Sequence, residues 1–265
     1  MSRLTIQAIQ NMKSQNEKIA VLTAYDASFA GVLDENGVDA FIVGDSLGMV
    51  IQGHDSTLPV SMDDMIYHSA NVARGSQRTY VITDLPYQSY ITPQQTLENA
   101  RRLIVEGNAQ MVKLEGGQSQ LENVKILVNN NIPVCGHLGL QPQSVEELGG
   151  YKVQGRDKKG AEAIVNDAQA LQQAGIQMLV LECIPAPLGK LISEKLSIPV
   201  IGIGAGVDCD GQVLVTYDML GISRGHNAKF VKNFLIENTD VDTAIRAYVD
   251  AVKQSEYPAP EHSYQ

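Results

Sequence analysis

The sequence Gln-Met-Val-Lys-Leu-Glu-Gly-Gly, residues 110–117, indicates how the rest of the chain is organised. It has the pattern of a β-strand, in which successive side chains point to opposite faces. Met111, Lys113 and Glu115 then share one face, and the two apolar residues between them share the other. A solvated edge strand with a local ion pair is one interpretation. The other is a functional site, because charged groups at the end of an apolar strand must be paired, bound to a metal or open to a ligand.

Composition limits the classes of protein to which the chain can belong. It has 265 residues, 44% of them hydrophobic, and a formal net charge of -10. The acidic balance and the lack of a basic cluster argue against a nucleic-acid partner. Three widely spaced cysteines suit a reducing compartment rather than a disulfide framework. No run is long enough to cross a bilayer and the amino terminus does not resemble a signal peptide, so a cytoplasmic protein is expected.

Short apolar runs alternate with segments of helical spacing along the chain. The runs predicted as strands are Ile19–Ala24, Ala40–Val43, Tyr80–Thr83, Met111–Leu114, Ile132–Cys135, Gln177–Leu181, Ile198–Ile203 and Val213–Tyr217. Eight strands alternating with helices in this length predict a (β/α)8 TIM barrel, an α/β fold. A doubly wound open sheet is the alternative.

The chain lacks a linker of low complexity, so we expect one domain over residues 1–265. The N-terminal segment is predicted to form a helix outside the barrel, and the tail from about Ser255 is predicted to be loose. Two connections are unusually long, Ser46–Ser61 and Leu138–Lys159. The second contains the glycine-rich segment Gly149–Arg156, a composition typical of lids as well as of tolerated insertions.

Ionisable residues stand at the ends of five predicted strands: Asp45, Asp84, Glu115, His137 and Glu182. In a barrel, the carboxyl ends of all strands meet at one face, where active sites lie. A single acid there is commonly a helix cap or turn former. Four carboxylates repel one another unless a cation or a substrate lies between them, so the set predicts a site.

The acids of three successive strands predict a metal site. Asp45, Asp84 and Glu115 could converge on a hard divalent ion, and ligands that are all oxygens favour Mg²⁺ over Zn²⁺. Such an ion would polarise the ketone of a 2-oxo acid and make loss of the neighbouring proton feasible. Glu182, on a separate strand, is the candidate base, and Lys113 could neutralise negative charge. His137 is interpreted as a hydrogen-bonded wall residue rather than a catalytic one.

Two motifs suggest other functions. Gly44-Asp45-Ser46-Leu47-Gly48 fits the G-x-S-x-G elbow of serine hydrolases, but no histidine clearly completes a triad. Gly202-Ile203-Gly204-Ala205-Gly206 resembles a nucleotide-binding loop but has the spacing GxGxG, so a tight turn after a strand is favoured.

Several long blocks resemble the ketopantoate hydroxymethyltransferase family, in the family's order from about Ile19 to Phe234. They are Val43–Gly48, Gln52–Pro59, Asp84–Pro86, Lys113–Gly117, Pro133–Leu140, Gly149–Arg156, Leu181–Cys183 and Ile201–Gly206. No functional position departs from the family's pattern. The resemblance implies a barrel of the phosphoenolpyruvate mutase and isocitrate lyase type, assembled as a homodecamer. It also implies Mg²⁺ held by Asp45, Asp84 and Glu115.

The family's reaction transfers a hydroxymethyl group from 5,10-methylenetetrahydrofolate to 3-methyl-2-oxobutanoate, which gives 2-dehydropantoate for coenzyme A synthesis. By resemblance, the 2-oxo acid is bound by Asp45, Ser46, Asp84 and Lys113, and Glu182 accepts the proton. Both the folate donor and the branched substrate rest on the resemblance alone. Two alternatives remain: a folate-independent C–C lyase of the same superfamily, and a non-catalytic protein that binds metal and a 2-oxo acid.

Overall fold

The computed structural model describes residues 3–145, 149–224 and 228–265, and in this part of the chain eight parallel strands form a closed barrel in chain order. The strands are β1 (Ile19–Thr23), β2 (Ala40–Val43), β3 (Tyr80–Asp84), β4 (Met111–Glu115), β5 (Val134–Gly139), β6 (Met178–Glu182), β7 (Val200–Ile203) and β8 (Gly211–Leu214). The predicted TIM barrel is therefore confirmed and the open sheet is excluded. The largest differences are at β5, which ends four residues after the predicted strand, and at β8, which ends three residues before the predicted end because Thr216 already starts a helix.

Helices cover the outside of the barrel and one end of it. They are α1 (Ile6–Ser14), α2 (Ala27–Glu35), α3 (Leu47–Val50), α4 (Met62–Gly75), α5 (Pro93–Val105), α6 (Leu121–Asn129), α7 (Lys158–Ala174), α8 (Ala186–Lys195), α9 (Thr216–Met219) and α10 (Val241–Lys253). Several begin at the caps that local chemistry favours. Ser61 and Asp64 form a reciprocal capping box at α4, and Thr92 caps α5 with Pro93 in its first turn. In the described residues, no helix is both long enough and apolar enough to cross a lipid bilayer.

The alternation in β4 divides the core into two layers, as the sequence predicts. Met111 packs among the side chains that fill the barrel, whereas Val112 and Leu114 pack in the layer between the strands and the outer helices. Lys113 and Glu115 follow Met111 on the inner face, and both are buried. The strand thus delivers two charged groups into the barrel at its carboxyl end, because the next inner position after an apolar residue is two residues further on.

Helix α1 closes the amino-terminal end of the barrel. Ile6 and Ile9 are buried against the side chains inside the barrel. The Leu4 amide donates to the carbonyl of Arg78 just before β3, and Lys13 Nζ donates to the carbonyl of Ile198 just before β7. The predicted helix outside the strand–helix repeat is therefore present, and it seals the end opposite to the strand-end carboxylates.

The C-terminal tail is packed, which corrects the expectation of a loose segment after Ser255. The Tyr257 side chain is buried, and its hydroxyl donates to the carbonyl of Phe230. The carbonyl of Tyr264 accepts a hydrogen bond from the Ala186 amide at the start of α8. Aromatic burial and backbone pairing hold this segment, which its proline and acidic residues did not indicate.

Candidate active site

The carboxyl end of the barrel brings the predicted ionisable residues together. Asp84 and Glu182 end β3 and β6, and Glu115 ends β4. All but one of the group are almost inaccessible; Glu182 is the exception, with a side chain that is 15% exposed. A buried set of charges beneath one partly exposed carboxylate is suited to a ligand that enters from the mouth of the barrel.

Strand register pairs Lys113 with Asp84. The two residues are opposite each other in the β3–β4 ladder, and Lys113 Nζ lies 2.9 Å from Asp84 Oδ2. Burial disfavours the ammonium, but Asp84, Glu115 and Asp45 outweigh it and raise the pKa of Lys113. Lys113 is therefore a permanent cation among acids, and it balances one of them.

Asp45 is the least compensated of the acids. Its amide donates to Asp84 Oδ2 at 3.2 Å, so its backbone is fixed against the neighbouring carboxylate. Burial, followed by repulsion from Asp84 and Glu115, raises the pKa of Asp45 well above its usual range. A bound cation would reverse this effect, because it favours the ionised carboxylate.

His137 lies between two carboxylates. Register places it opposite Glu115, and its Nδ1 is 3.2 Å from Glu115 Oε1 while its Nε2 is 3.3 Å from Glu182 Oε2. In the described part of the chain, neither ring nitrogen has a partner with good hydrogen-bond geometry, so these are ion-pair contacts. Burial and Lys113 lower the pKa of His137, but the two carboxylates prevail and raise it to about 9. The ring is thus a cation at neutral pH and contacts the proposed base directly.

Ser46 has a different environment from a hydrolase nucleophile. Its Oγ lies 2.8 Å from the hydroxyl of Tyr25, with no histidine in that contact, whereas His68 Nδ1 is bound to the Tyr25 carbonyl. The serine-hydrolase interpretation is therefore not supported. The glycine-rich segment after β7 forms a turn with positive φ at Gly204 and Gly206, as expected.

Gln143 is the site residue that the sequence analysis missed. It lies in a 3₁₀ turn, Pro142–Ser144, after β5, and is buried. Its side-chain Nε2 donates to Asp45 Oδ2 at 2.7 Å, and its amide donates to Glu115 Oε2 at 3.0 Å. Tyr90, in the connection after β3, donates its hydroxyl to Gln143 Oε1 at 2.5 Å. Neither Gln143 nor Tyr90 ends a strand, so the pattern of charged strand ends does not include them. The one sequence feature that indicates this turn is the proline that opens it.

Two of the acids offer oxygen atoms suited to a divalent cation. Asp84 Oδ1 is buried and has no hydrogen-bond partner among the described residues, and Asp45 is held by an uncharged amide. The Asp45 carboxylate and Asp84 Oδ1 are oxygen donors of the type that Mg²⁺ prefers. In residues 3–145, 149–224 and 228–265, however, no three metal-binding side chains are gathered closely enough for a complete site. Glu115 Oε1 also lacks a hydrogen-bond partner, but it lies 3.2 Å from His137 Nδ1, and Glu115 Oε2 accepts from the Gln143 amide. Asp45 and Asp84 therefore fit a cation that keeps open positions.

Part of the long connection after β5 lies beside the mouth. The Gln154 amide donates to the carbonyl of Cys183, the residue that follows Glu182, and the hydroxyl of Tyr151 lies 4.0 Å from Met49 Sδ. Residues 146–148 of this connection lie outside the described residues. The segment Gly149–Arg156 is thus adjacent to the site, and its role as a lid stays a prediction.

Known structures share the fold of this chain. The fold resembles 2,3-dimethylmalate lyase, a member of the PEP mutase/isocitrate lyase superfamily, with a TM-score of 0.59, 15% identity and coverage of 82% of this chain and 80% of that one. Phosphoenolpyruvate phosphomutase from Streptomyces platensis subsp. rosaceus gives a TM-score of 0.62 at 10% identity, over 82% and 83% of the chains. The chain has the barrel fold of this superfamily, with buried acids at the carboxyl ends of its strands.

Sequence comparison gives the particular family. The profile described as "Ketopantoate hydroxymethyltransferase" matches residues 3–260. Two 3-methyl-2-oxobutanoate hydroxymethyltransferases are each 58% identical: that of Ruthia magnifica subsp. Calyptogena magnifica over 98% of this chain, and that of Nitrosococcus oceani over 100%. In both cases the whole relative is covered. The chain belongs to the ketopantoate hydroxymethyltransferase family, so the predicted transferase class is confirmed and is favoured over the lyase and the binding protein.

Proposed function

We propose that this chain transfers a hydroxymethyl group from 5,10-methylenetetrahydrofolate to 3-methyl-2-oxobutanoate, with Mg²⁺, to form 2-dehydropantoate. The observation that carries the proposal is the position of Glu182. Its carboxylate is the partly exposed one of the set, it lies at the mouth, and it contacts His137 at 3.3 Å. A base at the entrance above a buried polar floor can reach a carbon atom of a substrate whose oxygens lie deeper.

The floor of the site supports binding of a 2-oxo acid. Lys113 supplies a buried cation for the substrate's carboxylate or for charge that develops on its ketone oxygen. Asp45, Ser46 and Asp84 surround the same space at the ends of β2 and β3. Small anions need such a fixed positive group because burial removes their hydration.

Asp45 and Asp84 would hold the Mg²⁺ ion, and Glu115 would act through an intervening water. Burial and the neighbouring acids raise the pKa of Asp45, and Asp84 Oδ1 has no hydrogen-bond partner among the described residues. Glu115 Oε1 also lacks a hydrogen-bond partner, but it lies 3.2 Å from His137 Nδ1, and Oε2 accepts from the Gln143 amide. When bound, the ion supplies Lewis-acid polarisation of the 2-oxo group. The resemblance implies that all three acids hold the ion and leaves open whether Glu115 contacts it directly or through water.

Glu182 accepts the proton from C3 of the substrate, and His137 keeps the Glu182 carboxylate in position. The imidazolium ring contacts the Glu182 carboxylate from one side and restricts its orientation. The same ring contacts Glu115, so the two carboxylates share one positive charge. His137 thus positions the base. Water hydrolyses the methylene bridge of the donor, which breaks both of its C–N bonds and releases tetrahydrofolate and formaldehyde. The carbanion then adds to the formaldehyde carbon, and the formaldehyde oxygen takes up a proton to become the hydroxyl group of the product.

Dependence on the folate donor tests the proposal. Purified protein is incubated with 3-methyl-2-oxobutanoate and Mg²⁺, with and without 5,10-methylenetetrahydrofolate, and products are identified by NMR. We expect 2-dehydropantoate only when the donor is present, and its loss when a chelator is added. Substrate cleavage without the donor would indicate the lyase instead, and saturable substrate binding without any product would indicate the binding protein.

A further inference from the structure

Gln143 connects two acids that come from different strands. Its side chain contacts Asp45, which follows β2, and its backbone contacts Glu115, which ends β4. These two contacts come from one residue, so the 3₁₀ turn that carries it sets how far apart the two carboxylates stand. A neutral donor also has an electrostatic consequence: it holds Asp45 without cancelling its charge, unlike the ammonium that Lys113 presents to Asp84.

The surroundings of the Gln143 amide specify this residue type and its orientation. Nε2 carries two hydrogens and faces two acceptors, Asp45 Oδ2 at 2.7 Å and the Leu85 carbonyl at 3.0 Å. Oε1 accepts from the Tyr90 hydroxyl. A carboxylate at position 143 would place an oxygen atom opposite these two acceptors, and so would the glutamine amide if it were flipped. In either case the hydrogen-bond donor would be lost. Tyr90 therefore keeps the donor side of the amide toward Asp45.

We propose that Gln143, with its amide oriented by Tyr90, is a positioning residue that holds the Asp45 carboxylate in place for the divalent cation and the 2-oxo acid. The inference rests on the proposed function, in which Asp45 binds the cation. Residues that orient a ligand in this way contribute strongly to affinity, because their loss lets the ligand rotate away from the ion. The contact is fully buried, so water does not replace it readily.

Binding of Mn²⁺, followed by electron paramagnetic resonance without any substrate, tests the proposal on the full-length protein. Gln143→Met keeps the length of the side chain and removes the hydrogen bonds. We expect the affinity for Mn²⁺ to fall by about 10-fold or more, in the range found for residues that orient metal ligands. Gln212→Met is the matched control. Gln212 is equally buried and donates to the Gly206 carbonyl at 3.0 Å, but it contacts none of the acids.

Thermal unfolding of the two variants separates positioning from general stability. We expect both to unfold at a lower temperature than the wild type, because Gln143→Met loses three buried side-chain hydrogen bonds and Gln212→Met loses one, while only the variant at position 143 binds Mn²⁺ weakly. A second comparison uses Tyr90→Phe, which removes just the hydroxyl. Tyr90→Phe should weaken Mn²⁺ binding in the wild-type background and have no effect in the Gln143→Met background, since the two residues act through one contact.

Asp45→Asn distinguishes failure of this proposal from failure of the proposed function. If Asp45→Asn abolishes Mn²⁺ binding and Gln143→Met leaves the affinity unchanged, Asp45 does not need Gln143 and the positioning proposal is wrong. If Asp45→Asn binds Mn²⁺ like the wild type, the proposed cation site itself is wrong, and the role of Gln143 is overturned together with it.

Discussion

Lys113 keeps a group of buried acids compatible with a folded barrel. It is paired with Asp84 at 2.9 Å, and both side chains are nearly inaccessible to water. Breaking such a pair by removing one partner leaves a buried charge without compensation. Loss of Lys113 should therefore destabilise the fold, in addition to removing its proposed contact with the substrate.

Replacement of Lys113 by methionine should lower the free energy of unfolding at pH 7 by about 3 kcal/mol, the usual cost of breaking a buried pair. Urea denaturation measures this change. The matched control is Lys125→Met: Lys125 also lies 2.8 Å from an acid, Glu122, but that pair is exposed, so its loss should cost less than about 1 kcal/mol. Equal costs for the two variants would show that burial of the Lys113 pair does not matter for stability.

His137 should make stability depend on pH. Its pKa is raised to about 9 in the folded state from an ordinary value of 6.5. A raised pKa means that the folded state binds the proton more tightly, so this stabilisation is complete below pH 6.5 and disappears as pH rises through 9. It amounts to at most about 3 kcal/mol.

Urea denaturation at pH 6, 7.5 and 9, in the presence of chelator, measures this dependence. The wild type should lose stability over this interval, and His137→Asn should show a shallower loss. Parallel pH profiles for the two proteins would mean that His137 is not the group responsible.

The residues of the site differ in how readily the sequence reveals them. Lys113 and Glu115 were predictable because a period of two, counted from an apolar strand, puts them on one face, and the barrel rule puts that face inside. Gln143 was not predictable, because an uncharged residue in a loop shows no periodicity. Its role depends on how the 3₁₀ turn packs against β2 and β4, which is a tertiary feature.

Among the secondary-structure elements, the strands were predicted more reliably than the tail and the connections between them. Each strand is a short apolar run bounded by turn residues, a signal contained within a few residues. The tail after Ser255 was predicted wrongly because its packing depends on distant partners, such as the Phe230 carbonyl that Tyr257 binds. Local composition does not contain that information.

Helix α1 should contribute to stability and not to the site. Ile9 is fully buried against the barrel interior, at the end opposite to the acids. Ile9→Ala should lower the free energy of unfolding by about 2–5 kcal/mol, measured by urea denaturation, and leave Mn²⁺ affinity unchanged. Gln7→Ala, at an exposed position of the same helix, should change neither quantity. Weakened Mn²⁺ binding in Ile9→Ala would show that the two ends of the barrel are coupled.

In the whole molecule, the end of the barrel that α1 closes lies opposite to the end that carries the candidate site. One end is sealed by α1, and the other presents the acids, Lys113 and His137. This division explains why a substitution in α1 is expected to change stability without changing Mn²⁺ binding. The homodecamer implied by the family resemblance stays a prediction.

Native mass measurement tests the assembly. Ten chains of 28.7 kDa give 10 × 28.7 = 287 kDa. We expect a principal species of this mass by analytical ultracentrifugation at micromolar concentration. A single species at the mass of one chain would contradict the decamer.

If Glu182 removes the C3 proton of a 2-oxo acid, the protein should catalyse exchange of that proton with solvent. The protein is incubated with 3-methyl-2-oxobutanoate, Mg²⁺ and tetrahydrofolate in D₂O, and loss of the C3 proton signal is followed by NMR. Glu182→Gln keeps the shape of the side chain, and Glu122→Gln, on the exposed face of α6, is the control. We predict that Glu182→Gln binds the substrate but exchanges its proton about 10²–10⁴-fold more slowly than the wild type and the control. Exchange by Glu182→Gln at the wild-type rate would show that Glu182 is not the base.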